Sequence, residues 1–284
     1  MSVNKDKCSI KEVQNKILFI MKYIDKICRE NDIEYFIMGG TALGAIRHGG
    51  FIPWDDDLDI FMTPQNYEKF KSMFLNENNP LFYLQEWKTT SKHLEYAKVR
   101  LNGTTFIEEA FKDDRNMHQG IYVDIMILHK CPKCRLVQKI LYYKCKYVTL
   151  YAISKRNWKP KTRGQKFALS MLKLLPNKII VKSFYKSIYK YDYKEMSDYN
   201  WFYWITPANF SAGLFEKRFF ENAQDIVFED TVLKGAAEIE EYLKARYGDY
   251  KTLPPEEKRK EAIHALFYDV DNDYKEYFKD FSDN

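Results

Sequence analysis

GGTALGAIRHGGFIPWDDDLDIFM, residues 39–62, puts a Gly-Gly pair, a basic pair and four aspartates next to an apolar run. The preceding residues 33–38, IEYFIM, read as a strand that runs into Gly39-Gly40. TALGAIRH then reads as a short helix and LDIFM (58–62) as a second strand. In an extended strand, residues two apart share a face and lie roughly 6–7 Å from each other. Asp57 and Asp59 therefore project together, while Leu58 and Ile60 turn to the core. Two carboxylates so spaced suit a hard divalent cation, which takes oxygen ligands. Two such ions about 3.5–4 Å apart suit displacement at phosphorus. A third acid is expected, and Asp124 in GIYVDIMIL (120–128) is the candidate, a lone acid in an apolar strand. A buried aspartate needs a cation or hydrogen-bond partners to offset its desolvation.

Gly39 and Gly40 lack side chains that would hold a phosphate away from the backbone, and the helix that follows offers amide donors. Arg47 and His48, at the far end of that helix, are candidates to neutralise a diphosphate; Lys98 and Arg100 share a strand face and add two cations. Each feature has a bland reading. An Asp-Asp-Asp run is most often a solvated turn, a Gly-Gly pair is common, and Asp124 alone would serve as a hydrogen-bonded core aspartate. The ordered combination of strand, Gly-Gly, helix, Asp-x-Asp strand and isolated-Asp strand is more specific, and it points to metal-dependent phosphoryl transfer.

Working outward, SIKEVQNKILFIMKYIDKICREN (9–31) repeats Val13, Ile17, Ile20, Met21, Ile24 and Ile27 at helical spacing, and Ser9 with Glu12 forms a capping box. A helix is expected to open near Pro64, and strands at LFYLQEW (81–87), EYAKVRL (95–101) and TTFIEE (104–109). Mixed strands and helices over 1–130 predict an α+β (mixed α/β) catalytic core. Residues 131–200 predict a basic, mostly helical region, broken around 157–164 and at Pro176-Asn177. Residues 201–284 are expected to complete the catalytic domain, with a helix at 236–248 stopped by Gly248.

The net charge of +5 conceals an asymmetry. Lys130 to Lys194 holds 18 Lys and Arg against one acid, Asp192, so the rest of the chain is net acidic. Lys is interleaved there with Tyr, Ile and Leu, a pattern suited to an anionic membrane surface or an anionic lipid-linked glycan; the bland alternative is a solvated helical face. No nucleic-acid motif accompanies the charge. Five Cys form no regular framework and the N-terminus has no apolar signal core, which predicts a reducing, cytoplasmic setting. No run approaches the roughly 18 apolar residues of a membrane span, so membrane contact is expected to be peripheral.

The stretch 39–62 closely resembles the defining motif of LicD-type phosphocholine transferases, nucleotidyltransferase-fold enzymes with fukutin-like relatives. YAKVRLNGTTFIE and YLKARYGDYKTLPPEEKR resemble two further segments of that family, whereas 130–200 matches nothing specific. A small departure is Gly49, where family members often carry a longer or basic residue. The resemblance implies a nucleotidyltransferase-like core in which Asp57, Asp59 and Asp124 are catalytic and bind Mg²⁺, or Mn²⁺ in its place. It implies a substrate site drawn from Gly39, Gly40, Thr41, Arg47, His48, Trp54, Asp56, Lys98 and Arg100. It further implies transfer of phosphocholine, or a related phospho-alcohol, from CDP-choline or another CDP-alcohol to a hydroxyl of a glycan or lipid-linked glycan, teichoic acid or lipopolysaccharide precursor, releasing CMP. In that reading Asp124 shares a metal and accepts the hydroxyl proton. A nucleotidyltransferase acting on a small molecule or protein, and a non-catalytic membrane-surface or glycan-binding protein, are the competing readings.

Choline would call for aromatic faces. Trp54, and Trp201, Tyr203 and Trp204 of WFYWITP, are candidates among many aromatics expected simply to pack. Cys131-Pro132-Lys133-Cys134, with His129 and Cys145 nearby, has a zinc-like spacing but no second pair. His264 in EAIHALF is expected to be a helix residue packing locally.

Overall fold

The computed structural model describes residues 8–86, 96–112, 114–155, 162–172, 175–204, 209–259 and 263–277. Helix α1 (Ile10–Glu30) carries the expected capping box, with Glu12 N–H on Ser9 Oγ and the Glu12 carboxylate back on Ser9 N–H. Its periodic residues Val13, Ile17, Ile20, Met21, Ile24 and Ile27 are all buried. Strand β1 (Phe36–Ile37) leads into α2 (Gly39–His48), so Gly39 and Gly40 form the first turn of the helix and do not precede it. β2 (Asp59–Met62) is followed by α3 (Pro64–Glu77), which has Thr63 as N-cap and Pro64 in its first turn, where a missing N–H costs nothing. β3 (Phe82–Gln85), β4 (Ala97–Leu101), β5 (Thr105–Glu108) and β6 (Tyr122–Ile127) follow in the expected places; the outer ends of the first two predicted strands, Trp87 and Glu95, lie outside the described residues.

The main sheet has the order β1-β2-β6-β4-β3. β2 and β6 run parallel, and the other pairings are antiparallel. Helices α1 and α3 cover one face. On the other, Phe61 packs on Tyr203, Phe215 and Phe220 from the C-terminal half. The architecture is thus mixed α+β, with the sheet between an N-terminal helical layer and a C-terminal aromatic one.

After β7 (His129–Cys131) come α4 (Arg135–Ser154), α5 (Arg163–Leu172) and α6 (Asn177–Ile188), the expected helical run, its first break lying largely outside the described residues. Tyr147 donates to Asn177 and Lys144 to Ser187, fixing α4 against α6. β8 (Asn200–Phe202) and β9 (Leu214–Glu216) join β7 in a small sheet, and β10 (Ala223–Phe228) with β11 (Thr231–Ala236) forms a hairpin. Helix α7 (Ile239–Tyr247) ends at Gly248 as predicted, α8 (Glu256–Arg259) is one turn, and β12 (Ala265–Asp269) returns to pair with β5.

Three expectations are corrected. His264 stands at the entrance of strand β12 and not in a helix; the residues are held extended by pairing with β5. Trp201, Tyr203 and Trp204 are buried, and the Tyr203 hydroxyl contacts Met126 Sδ at 2.7 Å, so they are core aromatics and not ligand faces. Among the described residues, Cys131, Cys134, Cys145 and His129 do not gather into a ligand group; His129 Nδ1 is instead engaged by Asp192 at 2.8 Å.

Candidate active site

Burial along the acid stretch alternates as the period of two requires. Leu58 and Ile60 are fully buried, while Asp57 and Asp59 keep partial access. The parallel register then sets Asp59 directly beside Asp124, and the antiparallel register of β4 sets Lys98 on the other side of Asp124. Three adjacent strands therefore present Asp59, Asp124 and Lys98 in one row. Asp57 enters from the residues just before β2, close enough for its charge to act on Asp59 and to feel that of Asp124.

Each acid has a local reason for its place. The N–H of Asp59 donates to Thr41 Oγ1 at 2.8 Å, so the first turn of α2 anchors the strand. Gly39 has φ +56°, a left-handed conformation unfavourable for a residue with a Cβ, and an added Cβ would lie 3.6 Å from Asp59 Oδ2 and 3.7 Å from the Tyr247 hydroxyl. At Gly40 an added Cβ would come within 2.9 Å of Asp55 Oδ2, so only glycine lets α2 lie this close to the acids. The positive end of α2 therefore points at carboxylates, a favourable arrangement. The Gly39 N–H is donated to the Tyr242 hydroxyl at 3.0 Å and the Ala42 N–H to the Met38 carbonyl at 3.1 Å.

Asp56 differs from its neighbours. Its carboxylate accepts the N–H of His264 (3.0 and 2.9 Å), the N–H of Ala265 (3.0 Å) and His264 Nδ1 (3.0 Å). Asp55, Asp56 and His264 do place potential ligand atoms within 4.8 Å of one another. Both oxygens of Asp56 are nevertheless occupied by donors, and the hydrogen bond to Asp56, with the charges of Asp57, Asp56 and Asp55, lifts His264 to about 10. As the side chains stand, His264 Nδ1 and both Asp56 oxygens are engaged with one another and with backbone N–H groups. This group is a clamp that ties β12 to the acid stretch.

The remaining acids are left with an excess of negative charge. Burial, and then Asp55, pushes Asp57 well above the ordinary carboxylate range; burial, Asp57 and Asp124 do the same to Asp59. Burial raises Asp55 to about 6 although a hydrogen bond with Asp57 opposes it. Asp124 is also raised by burial, with Lys98 pulling against it. Asp59 Oδ1 is buried and accepts no hydrogen bond from the described residues. An orphaned carboxylate oxygen among crowded acids is what a divalent cation would satisfy, although Asp57, Asp59 and Asp124 as they stand do not bring ligand atoms within 4.8 Å of one another.

The predicted cations fall into two groups. Lys98 is fully buried, with Nζ 2.9 Å from Asp124 Oδ1, 3.8 Å from Glu108 and 3.2 Å from the centre of the Tyr122 ring. Arg100 is buried as well and donates to Gln85 Oε1 and the Gly120 carbonyl. Both sit inside the sheet's polar layer and are engaged by protein partners in this structure. Arg47 donates from Nη1 to the Tyr250 carbonyl at 3.1 Å and from Nε to His48 Nε2 at 3.1 Å. Burial and neighbouring Arg259 lower its pKa, and burial and Arg47 lower that of His48. Arg259 lies over the Trp54 ring at 4.8 Å, and Trp54 meets His48 edge-on at 6.0 Å. Arg47, His48, Trp54 and Arg259 therefore form one cationic, aromatic corner beside the acids. Tyr242, Tyr247 and Arg259 lie in the segment YLKARYGDYKTLPPEEKR, whose resemblance assigned no role to any one of them, and His264 was read as a helix residue; nothing local in α7 or α8 shows that they close on residues 39–57.

The acid-bearing strands lie within a stretch, residues 32–135, that matches the LicD/FKTN/FKRP nucleotidyltransferase domain. This stretch is thus similar to the nucleotidyltransferase domain of that family, the family that the sequence resemblance pointed to. Over 259 residues, 89% of this chain and 96% of the relative, the protein is 27% identical to the lipopolysaccharide cholinephosphotransferase LicD of Haemophilus influenzae. A 39-residue stretch, 14% of this chain and 8% of the relative, is 41% identical to the ribitol 5-phosphate transferase FKRP of Homo sapiens. A 54-residue stretch, 19% of this chain and 18% of the relative, is 54% identical to the uncharacterized protein RT0683 of Rickettsia typhi.

Proposed function

We propose that this chain transfers a phospho-alcohol, phosphocholine in the first instance, from a CDP-activated donor to a hydroxyl of a glycan or lipid-linked glycan, with CMP as leaving group. The observation that carries the reading is the side-by-side pairing of Asp59 with Asp124 on parallel strands, with Asp57 two residues upstream and a buried Asp59 oxygen without a donor. Relatives named as a cholinephosphotransferase and a ribitol 5-phosphate transferase support the transfer of a phospho-alcohol.

Mg²⁺ held by Asp57, Asp59 and Asp124 would neutralise the donor diphosphate and orient it for displacement. The glycan oxygen forms a bond to the phosphorus that bears the alcohol, the bond from that phosphorus to the CMP oxygen breaks, and the hydroxyl proton passes to a carboxylate. Asp57, whose side chain keeps 20% exposure, is the more open of the acids to that proton, whereas Asp124 is held by Lys98. Arg47 and Arg259 supply cations with no carboxylate partner among the described residues, suited to phosphoryl oxygens. Lys98 acts as a positioning residue for Asp124.

The test incubates the protein and Mg²⁺ with CDP-choline, CDP-ribitol, CDP-glycerol or CTP. CMP release from a CDP-alcohol is expected, reduced by roughly 10²–10³-fold in Asp59→Asn and abolished by chelation. Diphosphate release from CTP with no CMP from any CDP-alcohol would overturn the proposal.

A further inference from the structure

The three helices of the basic segment leave large apolar side chains exposed. On α4, Leu136, Ile140 and Tyr143 are exposed at i, i+4 and i+7, which places them on one face of the helix. The opposite side of α4 carries the buried residues Leu141, Cys145, Val148 and Ala152. Phe167 and Met171 repeat the spacing on α5 at 69% and 45% exposure, and Ile179 stands 72% exposed on α6. Half of the exposed large apolar residues in the described structure fall between Lys130 and Lys194, under a quarter of the chain, so the exposure is concentrated and not scattered.

The charge around these side chains has one sign. The segment holds 18 Lys and Arg against Asp192, and Asp192 is buried on His129. Lys139 on α4 and Lys178, Lys182 and Lys186 on α6 are exposed and enter no ion pair among the described residues. Net charge alone would serve solubility, and exposed apolar groups alone would suit another protein. A one-sided apolar stripe bordered by unneutralised lysines matches a surface that is apolar inside and anionic outside. No described helix is long and apolar enough to cross a membrane, so the contact would be made from one side.

We infer that α4, α5 and α6 form a docking surface for an anionic lipid bilayer, with Leu136, Ile140, Tyr143 and Phe167 entering the interface and the lysines meeting the headgroups. Such a surface would hold the enzyme beside an acceptor carried on a lipid; the inference itself stands on the exposed helix faces and is independent of the reaction proposed above.

The full chain is mixed with phosphatidylcholine vesicles containing or lacking phosphatidylglycerol, and binding is read by flotation. Binding is expected with phosphatidylglycerol and not without it, weakened but not lost in high salt because the apolar part is insensitive to screening. The triple variant Leu136→Ser, Ile140→Ser, Tyr143→Ser is expected to bind at least about tenfold more weakly, with an unchanged circular dichroism spectrum and melting temperature, since all three side chains are exposed. The double variant Lys178→Ser, Lys182→Ser should bind several-fold more weakly at low salt. Failure of the unaltered chain to bind would overturn the proposal, as would full binding by the triple variant. A dimer in sedimentation that the triple variant loses, without vesicle binding, would assign the face to a second copy of this chain instead.

Discussion

The row Asp59–Asp124–Lys98 and the helices of residues 130–194 handle charge in opposite ways. In the sheet, charges are few, buried and placed by strand register, and every cation has a named protein partner: Lys98 on Asp124, Arg100 on Gln85 and Gly120. In the helices, charges are many, exposed and of one sign, and α4 and α6 are held together by uncharged contacts such as Tyr147 with Asn177. Burial makes an ion expensive unless it is answered, so the crowded acids of the sheet are pushed toward their neutral forms. Solvent makes the helical cations cheap, so their excess can wait for a partner.

Removing one member of the buried pair breaks this contrast most strongly. Lys98→Met is expected to destabilise the protein by about 3–5 kcal/mol in urea denaturation, because Asp124 loses its counter-charge. The double variant Lys98→Met, Asp124→Leu should recover much of the loss. A single-variant loss under about 1 kcal/mol would show that Asp124 does not depend on the ion pair, against the usual cost of such a break.

A smaller effect tests how the sheet keeps neutral groups beside its cations. His118 Nδ1 accepts the Gly120 N–H at 3.1 Å and Nε2 lies 2.8 Å from Asn102 Oδ1, an arrangement that needs the neutral ring. Burial, then Arg100 and Lys275, lowers its pKa to about 3. The folded state therefore binds fewer protons than the unfolded state between about 3 and about 6.5. His118 contributes stability that is present above that window and is lost as pH falls through it. Relative to His118→Phe, the unaltered protein should lose up to about 1.4 kcal/mol of stability per pH unit within the window, read by denaturation at stepped pH. Parallel curves for the two would remove His118 from the account.

The smallest effect is expected in the helices. Lys178→Ser, Lys182→Ser, Lys186→Ser should change unfolding free energy by no more than about 0.5 kcal/mol, since none of the three lysines forms an ion pair among the described residues. A loss several times larger, measured by the same denaturation, would mean these cations belong to the fold and would erase the contrast.

Much of the fold was legible because its signals are local. The capping box of α1, the Pro64 start of α3 and the Gly248 stop of α7 each act within one turn. β7, β8, β9 and the β10–β11 hairpin were not read, because short strands flanked by aromatic residues have no clear period. His264 was placed in a helix because the tertiary pairing of β12 with β5 overrode its neighbours' local preference.

At the site itself, the sequence alone determined the acids. The alternation Asp57-Leu58-Asp59 fixes which side chains avoid the core, and the isolation of Asp124 in an apolar strand requires a polar partner there. Tertiary structure decided everything about who meets them. Register chose Lys98 for Asp124, the fold buried Lys98 and Arg100 among protein partners, and contacts spanning 208 and 209 residues made Asp56 a clamp on His264 and Ala265. Periodicity along one strand reports the face of a side chain and carries no information about which strand lies next to it, and that neighbour sets the charge each aspartate feels.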